Sequence, residues 1–368
     1  MFILLIIIII LYYYITLNLN TNNILHTHNI NYNINKYNCT LLLKQPLLNT
    51  IITDRFYYYF KHKYIELFYN NAEREQINYN NADFLLQWFP NKKTIKQNNN
   101  PIIIFGNTIR CESILNSFHY YFMLYLYKKC KYNIVHIDFR GYTFNLHDYK
   151  SFYDTGLDDT NHIINYITSQ FPEKHLYLCG FSLGGVLFTN VLHKYNIPNI
   201  KGLILVSAPA TIAGVLQQSN NTFFNYPEKI LMYFVRSYFT KHKIILDHPH
   251  LTKKNKKNIL NMDTFNEFFT NYMKPINNNK YNIISDWSND IDIINQLKNI
   301  KIPVLMIHSR DDYIYSYTDD ALKILSNNKN ISYIITKYGG HDGFLNKNYK
   351  LFYSNPILNF IISTENKI

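Results

Sequence analysis

The sequence predicts an α/β protein: a mostly parallel sheet covered by helices on both faces, with a helical lid inserted into it. Short runs rich in Ile, Val and Leu alternate with helical stretches, the pattern of buried parallel strands joined by crossover helices. The rhythm breaks once, from Thr211 to about Asp292, where aromatic, helix-like segments follow one another without a strand. Glycine supplies the third observation. The chain has only 11 Gly against 34 Tyr and 25 Phe, yet "GFSLGG" from Gly180 and "GGHDGF" from Gly339 together hold six of them. Glycine serves where φ is positive or another backbone comes close, so both hexapeptides mark tight backbone.

Taken in order, the chain opens with "MFILLIIIIILYYYITLNLN", apolar from Phe2 to Leu17 and without Lys or Arg before Lys36. At helical rise such a run spans about 24 Å, short for a bilayer but within the range that thinning accommodates. Residues 1–20 are therefore expected to be an uncleaved membrane anchor, placing the protein in the endoplasmic reticulum or secretory pathway. A cleaved signal followed by secretion is the alternative. Residues 21–70 read as an Asn-rich arm or linker, with no period from Thr21 to about Lys44.

Residues 71–210 and 293–368 form the expected core, and 211–292 the lid. "EREQINYN" and "ADFLLQWFP" resemble an antiparallel pair, and buried strands are expected at "PIIIFG" (Pro101), "YNIVHIDF" (Tyr132), "HLYLCG" (His175), "KGLILVS" (Lys201), "PVLMIHS" (Pro303) and "ISYIITK" (Ile331). Helices are expected from Asp158 to Gln170, where Ile163, Ile164 and Ile167 share a face, and from Tyr317 to Leu325.

The net charge of +12 is spread as single lysines, with one run at Lys253–Lys257. No nucleic-acid reading module accompanies it, so a nucleic-acid partner is not expected. Cys39, Cys111, Cys130 and Cys179 show no metal-binding spacing, and no metal site is expected.

"HLYLCGFSLGG" leading into "GVLFTNVLHKY" places a G-x-S-x-G-G motif between a strand and a helix, the setting of a nucleophile elbow. Ser182 is the expected nucleophile. Gly180 and Gly184 would face each other across the turn, and Gly185 lets the helix approach the strand. The helix N-terminus and the Leu183 N–H point at the place where an oxyanion would form. A serine hydroxyl needs a base, itself oriented by a carboxylate. His341, in a glycine-lined loop after the last strand, is the expected base. The penultimate strand ends in Asp311 and Asp312; the usual spacing after its closing His selects Asp312, leaving Asp311 as a solvated neighbour or loop cap. The second oxyanion donor is expected from the loop after "PIIIFG", at the N–H of Asn107 with Thr108 next. His119, His136, His162 and His308 are expected to make local hydrogen bonds.

Beyond these residues the chain resembles a branch of the α/β-hydrolase fold that groups bacterial esterases, yeast medium-chain fatty-acid ethyl ester synthase/esterases and single-pass, ABHD-type animal acylglycerol and phospholipid hydrolases. "PLLNTI", "ADFLLQW", "IDFRGY", "MDTFNEFFT" and "GGHDGF" carry the resemblance, together with the elbow. It implies Ser182, Asp312 and His341 as a triad, no cofactor, and a membrane-associated esterase or lipase; no obligate protein partner is implied. Departures are "FGNTIR" in the oxyanion loop, "GGVL" after the serine and Tyr313 where the family has proline. The expected function is hydrolysis of carboxylic esters, lipid or acylglycerol esters by preference, through an acyl-enzyme. An acyltransferase or ester synthase on the same triad, a peptidase or thioesterase, and a silent membrane-tethered binding module are the alternatives.

Overall fold

The structure, a computed structural model, describes residues 22–40, 42–59, 72–106, 108–109, 117–220, 225–348 and 350–366. Nine strands form one sheet: β1 (Ile24–His28), β2 (Glu73–Tyr79), β3 (Ala82–Phe89), β4 (Ile102–Gly106), β5 (Asn133–Ile137), β6 (Leu176–Phe181), β7 (Ile200–Val206), β8 (Val304–Ser309) and β9 (Ile331–Thr336). Their order is β1-β9-β8-β7-β6-β4-β5-β3-β2. From β5 to β9 neighbours run parallel, while β1 on β9, β3 on β5 and β2 on β3 are antiparallel. Strand β4 pairs with β5 on one side and β6 on the other, so the winding reverses there. In such sheets the crevice for ligands opens beyond the carboxyl ends of the strands at that reversal.

The helices used below are α1 (Pro46–Tyr59), α2 (Ser117–Cys130), α3 (Phe152–Gln170), α4 (Leu183–Lys194), α5 (Ile212–Asn220), α6 (Tyr226–Lys241), α7 (Asp319–Ser326) and α8 (Ser354–Glu365). Side chains of the central strands are buried on both faces. Ile104, Leu178 and Leu205 meet Ile163, Ile167 and Val191 on one side; Ile103, Cys179 and Ile204 share a cluster with Phe122, Ile357 and Phe360 on the other. Burial on both faces explains the unbroken apolar runs of these strands. Helix α3 begins at Phe152, six residues before the expected start, because Ser151 and Asp154 form a capping box. Helix α7 begins at Asp319, because Thr318 is extended and its hydroxyl caps the helix by accepting from the Ala321 N–H at 3.2 Å.

Two expectations need correction or placement. The described part of the stretch expected as an arm or linker is built into the domain: β1 adds to the sheet edge on β9, and Tyr37, Cys39 and Leu43 are buried. Its short strand buries no residue fully, so it left no period in the sequence. The expected anchor, residues 2–17, lies outside the described residues. Among the described residues no helix is long and apolar enough to cross a membrane.

Between β7 and β8 the chain forms α5, α6 and shorter helical turns as far as Asp290. The Ile293 N–H donates to the Ala210 carbonyl at 3.0 Å, which brings the two ends of this excursion together at the sheet. Met232, Val235 and Phe239 are buried within it, the apolar stripe that the spacing of α6 produces, and Phe268 and Tyr272 of later helical turns are buried with them.

The glycine-rich loop after β9 packs against α1. Gly340 has a φ of +61°, and a Cβ there would fall on the carbonyl oxygen of Pro46. At Gly156, which lies in α3 without a left-handed φ, the atoms nearest to a Cβ all belong to the ring of Phe152 and none to backbone. Left-handed strain and overpacking together cost roughly 2–5 kcal/mol. Gly340→Ala is therefore expected to lower Tm by several degrees, and Gly156→Ala by much less; calorimetry of the two variants checks the ranking.

Candidate active site

Ser182 stands between β6 and α4 with φ 48° and ψ −116°, a conformation that non-glycine residues seldom adopt. The turn is held on both sides. Its N–H donates to the Val206 carbonyl at 2.9 Å, and its own carbonyl accepts from Gly185 N–H at 3.0 Å. A Cβ at Gly180 would fall on the backbone of Gly184 and Gly185, and one at Gly185 would meet Ala208. The first amides of α4, Leu183 and Gly184, have no intrahelical acceptor and lie beside Ser182 at the positive end of the helix dipole. Asn107, the expected second donor, lies outside the described residues. Thr108 is buried just beyond β4.

Ser182 Oγ lies 2.8 Å from His341 Nε2, and His341 Nδ1 lies 2.9 and 3.1 Å from the two oxygens of Asp312. A carboxylate can only accept, so the ring proton belongs on Nδ1 and Nε2 is left to accept from the serine hydroxyl. Asp312 is fully buried and also accepts from the N–H groups of Ile314 and Tyr315, at 2.8 and 3.3 Å. Burial alone would lower the His341 pKa, but Asp312 and Asp342 outweigh it and raise it to about 9. The ring is therefore a stronger base than free imidazole.

The two neighbouring acids have different tasks. Asp312 faces the imidazole, whereas Asp311 turns away and accepts from the Gly340 N–H at 2.9 Å. Burial raises its pKa to about 6, although the Gly340 N–H pulls it down. Asp311 thus caps the histidine loop, the second of the two roles expected for it, rather than standing as a solvated neighbour. A second brace comes from the arm. The Thr50 hydroxyl donates to the His341 carbonyl at 2.8 Å and accepts from the His341 N–H at 3.0 Å. The Asn49 side chain accepts from the Leu345 N–H at 3.2 Å. Sequence reasoning gave neither residue a role, although "PLLNTI" had been singled out as a segment. Tyr313 packs tilted against His341 with ring centroids 6.0 Å apart.

Among the other histidines, His308 Nε2 donates to the Tyr315 carbonyl at 2.7 Å, and burial keeps it neutral. His162 instead stacks on Tyr79 with ring centroids 3.6 Å apart. His136 departs from expectation more sharply: both ring nitrogens are buried with no hydrogen-bond partner, and burial lowers its pKa to about 3. The His119 side chain lies outside those described.

Ser182 opens onto a cavity of about 320 Å³ between the sheet end and the helices of 211–292. Leu183, Leu187, Val235, Phe268, Met273 and Trp287 supply much of its lining, and Asp158 and Lys194 also border it. A buried nucleophile, a base held by a carboxylate, helix amides and an adjoining apolar cavity are the parts that acyl transfer requires. No group of three or more His, Cys, Asp or Glu side chains among the described residues could hold a metal ion.

The chain belongs to the alpha/beta hydrolase fold family, whose pattern it matches over residues 109–348. It is 26% identical to the cattle (Bos taurus) phospholipase ABHD3 over 234 residues, 61% of this chain and 54% of that protein. It is 23% identical to the monoacylglycerol lipase of Saccharomyces cerevisiae over 212 residues, 55% of this chain and 46% of that one. The chain thus spans about half the length of these relatives. Among solved structures, a bacterial membrane phospholipase A superposes with a TM-score of 0.53 at 14% identity, covering 86% of this chain and 93% of the other. An esterase of Pyrococcus furiosus gives 0.50 at 16% identity, covering 79% and 90%. These two likenesses bear on the fold.

If Asp312 orients His341, Asp312→Asn leaves the ring in the wrong tautomer and should depress kcat by about 10⁴. Asp311→Asn keeps that partner and should change kcat far less. Steady-state ester hydrolysis by the two variants checks the ranking, and the reverse order would move the role to Asp311.

Proposed function

We propose that this protein is a serine hydrolase that cleaves carboxylic esters of lipids through an acyl-enzyme. The observation that carries the reading is the run of short contacts from Asp312 through His341 to Ser182, ending at the floor of an apolar cavity. Ser182 Oγ attacks the ester carbonyl while His341 Nε2 takes its proton, and Asp312 keeps the other ring proton in place. Negative charge on the carbonyl oxygen falls to the N–H groups of Leu183 and Asn107. Collapse expels the alcohol, which leaves with the proton from His341. Water, activated by the same nitrogen, then releases the acid and restores Ser182.

The names of the relatives support the substrate class, since they are called phospholipase and monoacylglycerol lipase. The cavity supports it independently, because its aliphatic and aromatic lining suits an acyl chain better than a small polar acid. In this reading residues 211–292 are a lid on a core of 71–210 and 293–368, and the apolar run 2–17 holds the enzyme at a membrane. The absence of any charge in that run supports the last point.

Ser182→Ala is expected to abolish both fluorophosphonate labelling and ester hydrolysis beyond the residual rate that binding and an oxyanion site supply. Equal labelling of variant and wild type would sink the assignment. Each buried methylene contributes about 0.8 kcal/mol, so kcat/KM for p-nitrophenyl esters should rise several-fold per two added carbons until the cavity is filled. A maximum at acetate would leave a small-ester hydrolase.

A further inference from the structure

The residue after the base has no part in the mechanism above, yet its side chain turns back toward the reacting nitrogen. Asp342 has a φ of 63°, in the left-handed region that Asp and Asn enter most readily among non-glycine residues. That turn carries its carboxyl to the Nε2 edge of His341, where Oδ2 lies 3.7 Å from the nitrogen. The other oxygen, Oδ1, is buried with no hydrogen-bond partner. Only 6% of the side chain is exposed, and the Asp342 N–H donates to the Ser207 hydroxyl at 3.0 Å, which anchors the backbone of this residue just beyond β7. An acid placed in this way is costly unless a positive charge comes to face it.

We propose that Asp342 is a second counter-ion of His341, on the ring edge opposite Asp312, which holds the imidazolium formed when Ser182 gives up its proton. The proposal rests on the Ser182–His341–Asp312 reading and adds a residue that acts through His341. The proton path is unchanged. It passes from Ser182 Oγ to His341 Nε2 and on to the leaving alcohol, and Asp342 neither takes nor supplies it.

The surroundings leave few competitors for that role. The loop after β8 presents Asp312 to Nδ1, turns Asp311 to the Gly340 amide and packs Tyr313 against the ring. His308 on β8 is held neutral by burial, and Arg310 turns outward to Asp319. Helix α1 offers the Thr50 hydroxyl to the backbone of His341, and α6 offers Tyr226, which packs tilted against Tyr313. Burial raises the Asp342 pKa to about 7, with His341 pulling it down and Asp312 pushing it up. The carboxyl therefore ionises most readily when the ring is charged, as a counter-ion of the imidazolium would.

The test is the titration of His341 with and without this charge. Asp342→Asn keeps the shape and tolerates the same backbone. In a Ser182→Ala background, where no turnover is needed, nitrogen-15 NMR of the His341 ring should show its pKa falling by about one unit or more on Asp342→Asn. Ser207→Ala should give a smaller fall of the same sign, and Asp311→Asn, whose carboxyl faces the Gly340 amide, none. With Ser182 present, the acid limb of the kcat/KM profile for p-nitrophenyl butyrate should move down by the same amount, so that well below the limb Asp342→Asn retains about tenfold more of its plateau activity per unit moved. Unchanged ring titration on Asp342→Asn would overturn the proposal. A ring shift in a protein that hydrolyses no ester would instead refute the hydrolase reading and leave the pairing of Asp342 with His341 standing.

Discussion

Everything at the candidate site depends on how closely α4 approaches β6. The chain must leave the strand, place Ser182 at φ 48° and enter the helix at once, which succeeds only because Gly180 and Gly185 carry no Cβ at the point of contact. The same approach brings the ring of Phe188 against Gly106 at the end of β4, so the two strands at the winding reversal end side by side. The helix N-terminus, the crevice and the serine hydroxyl therefore coincide as consequences of one turn. A chain so poor in glycine keeps Gly180 there because a side chain would fall on the backbone of Gly184 and Gly185, which cannot move aside, and Gly185 because one would meet the Cβ of Ala208.

The second requirement is a histidine loop rigid enough to hold its ring between serine and carboxylate. No single element provides this. Asp311 grips the Gly340 amide, Thr50 bonds both backbone groups of His341, and Ser207 bonds the next amide. These three braces come from β8, α1 and β7, so the base is positioned by parts of the chain far apart in sequence. The helices after β7 then border an apolar cavity over the nucleophile.

Much of this was legible in the sequence. Strands β4 to β9 showed themselves because burial on both faces demands continuous apolar runs, and Ser182, Asp312 and His341 because each follows a strand in a context of glycine or paired acids. What escaped detection shares a physical cause. The edge strand β1 and the brace at Thr50 act through backbone and hydroxyl contacts with residues about 300 positions away, which leave no local period. The start of α3 was hidden because Asp154 and Gly156 interrupt its apolar face, although the capping residues Ser151 and Asp154 were there to read. The two acids of "DD" could be ranked by spacing, but the work of Asp311 on Gly340, and of Asp342 near Nε2, depends on which way each side chain turns.

In the proposed reaction Ser182 forms a covalent acyl-enzyme with His341 as its base. The most direct measurement mixes the protein with excess p-nitrophenyl decanoate, quenches it in acid within the first turnovers and locates the added acyl mass by peptide mass spectrometry. A decanoyl adduct is expected on the peptide that contains Ser182, lost when His341 is replaced by Ala. Turnover of the ester without any adduct on that peptide, or with an adduct on another residue, would contradict it.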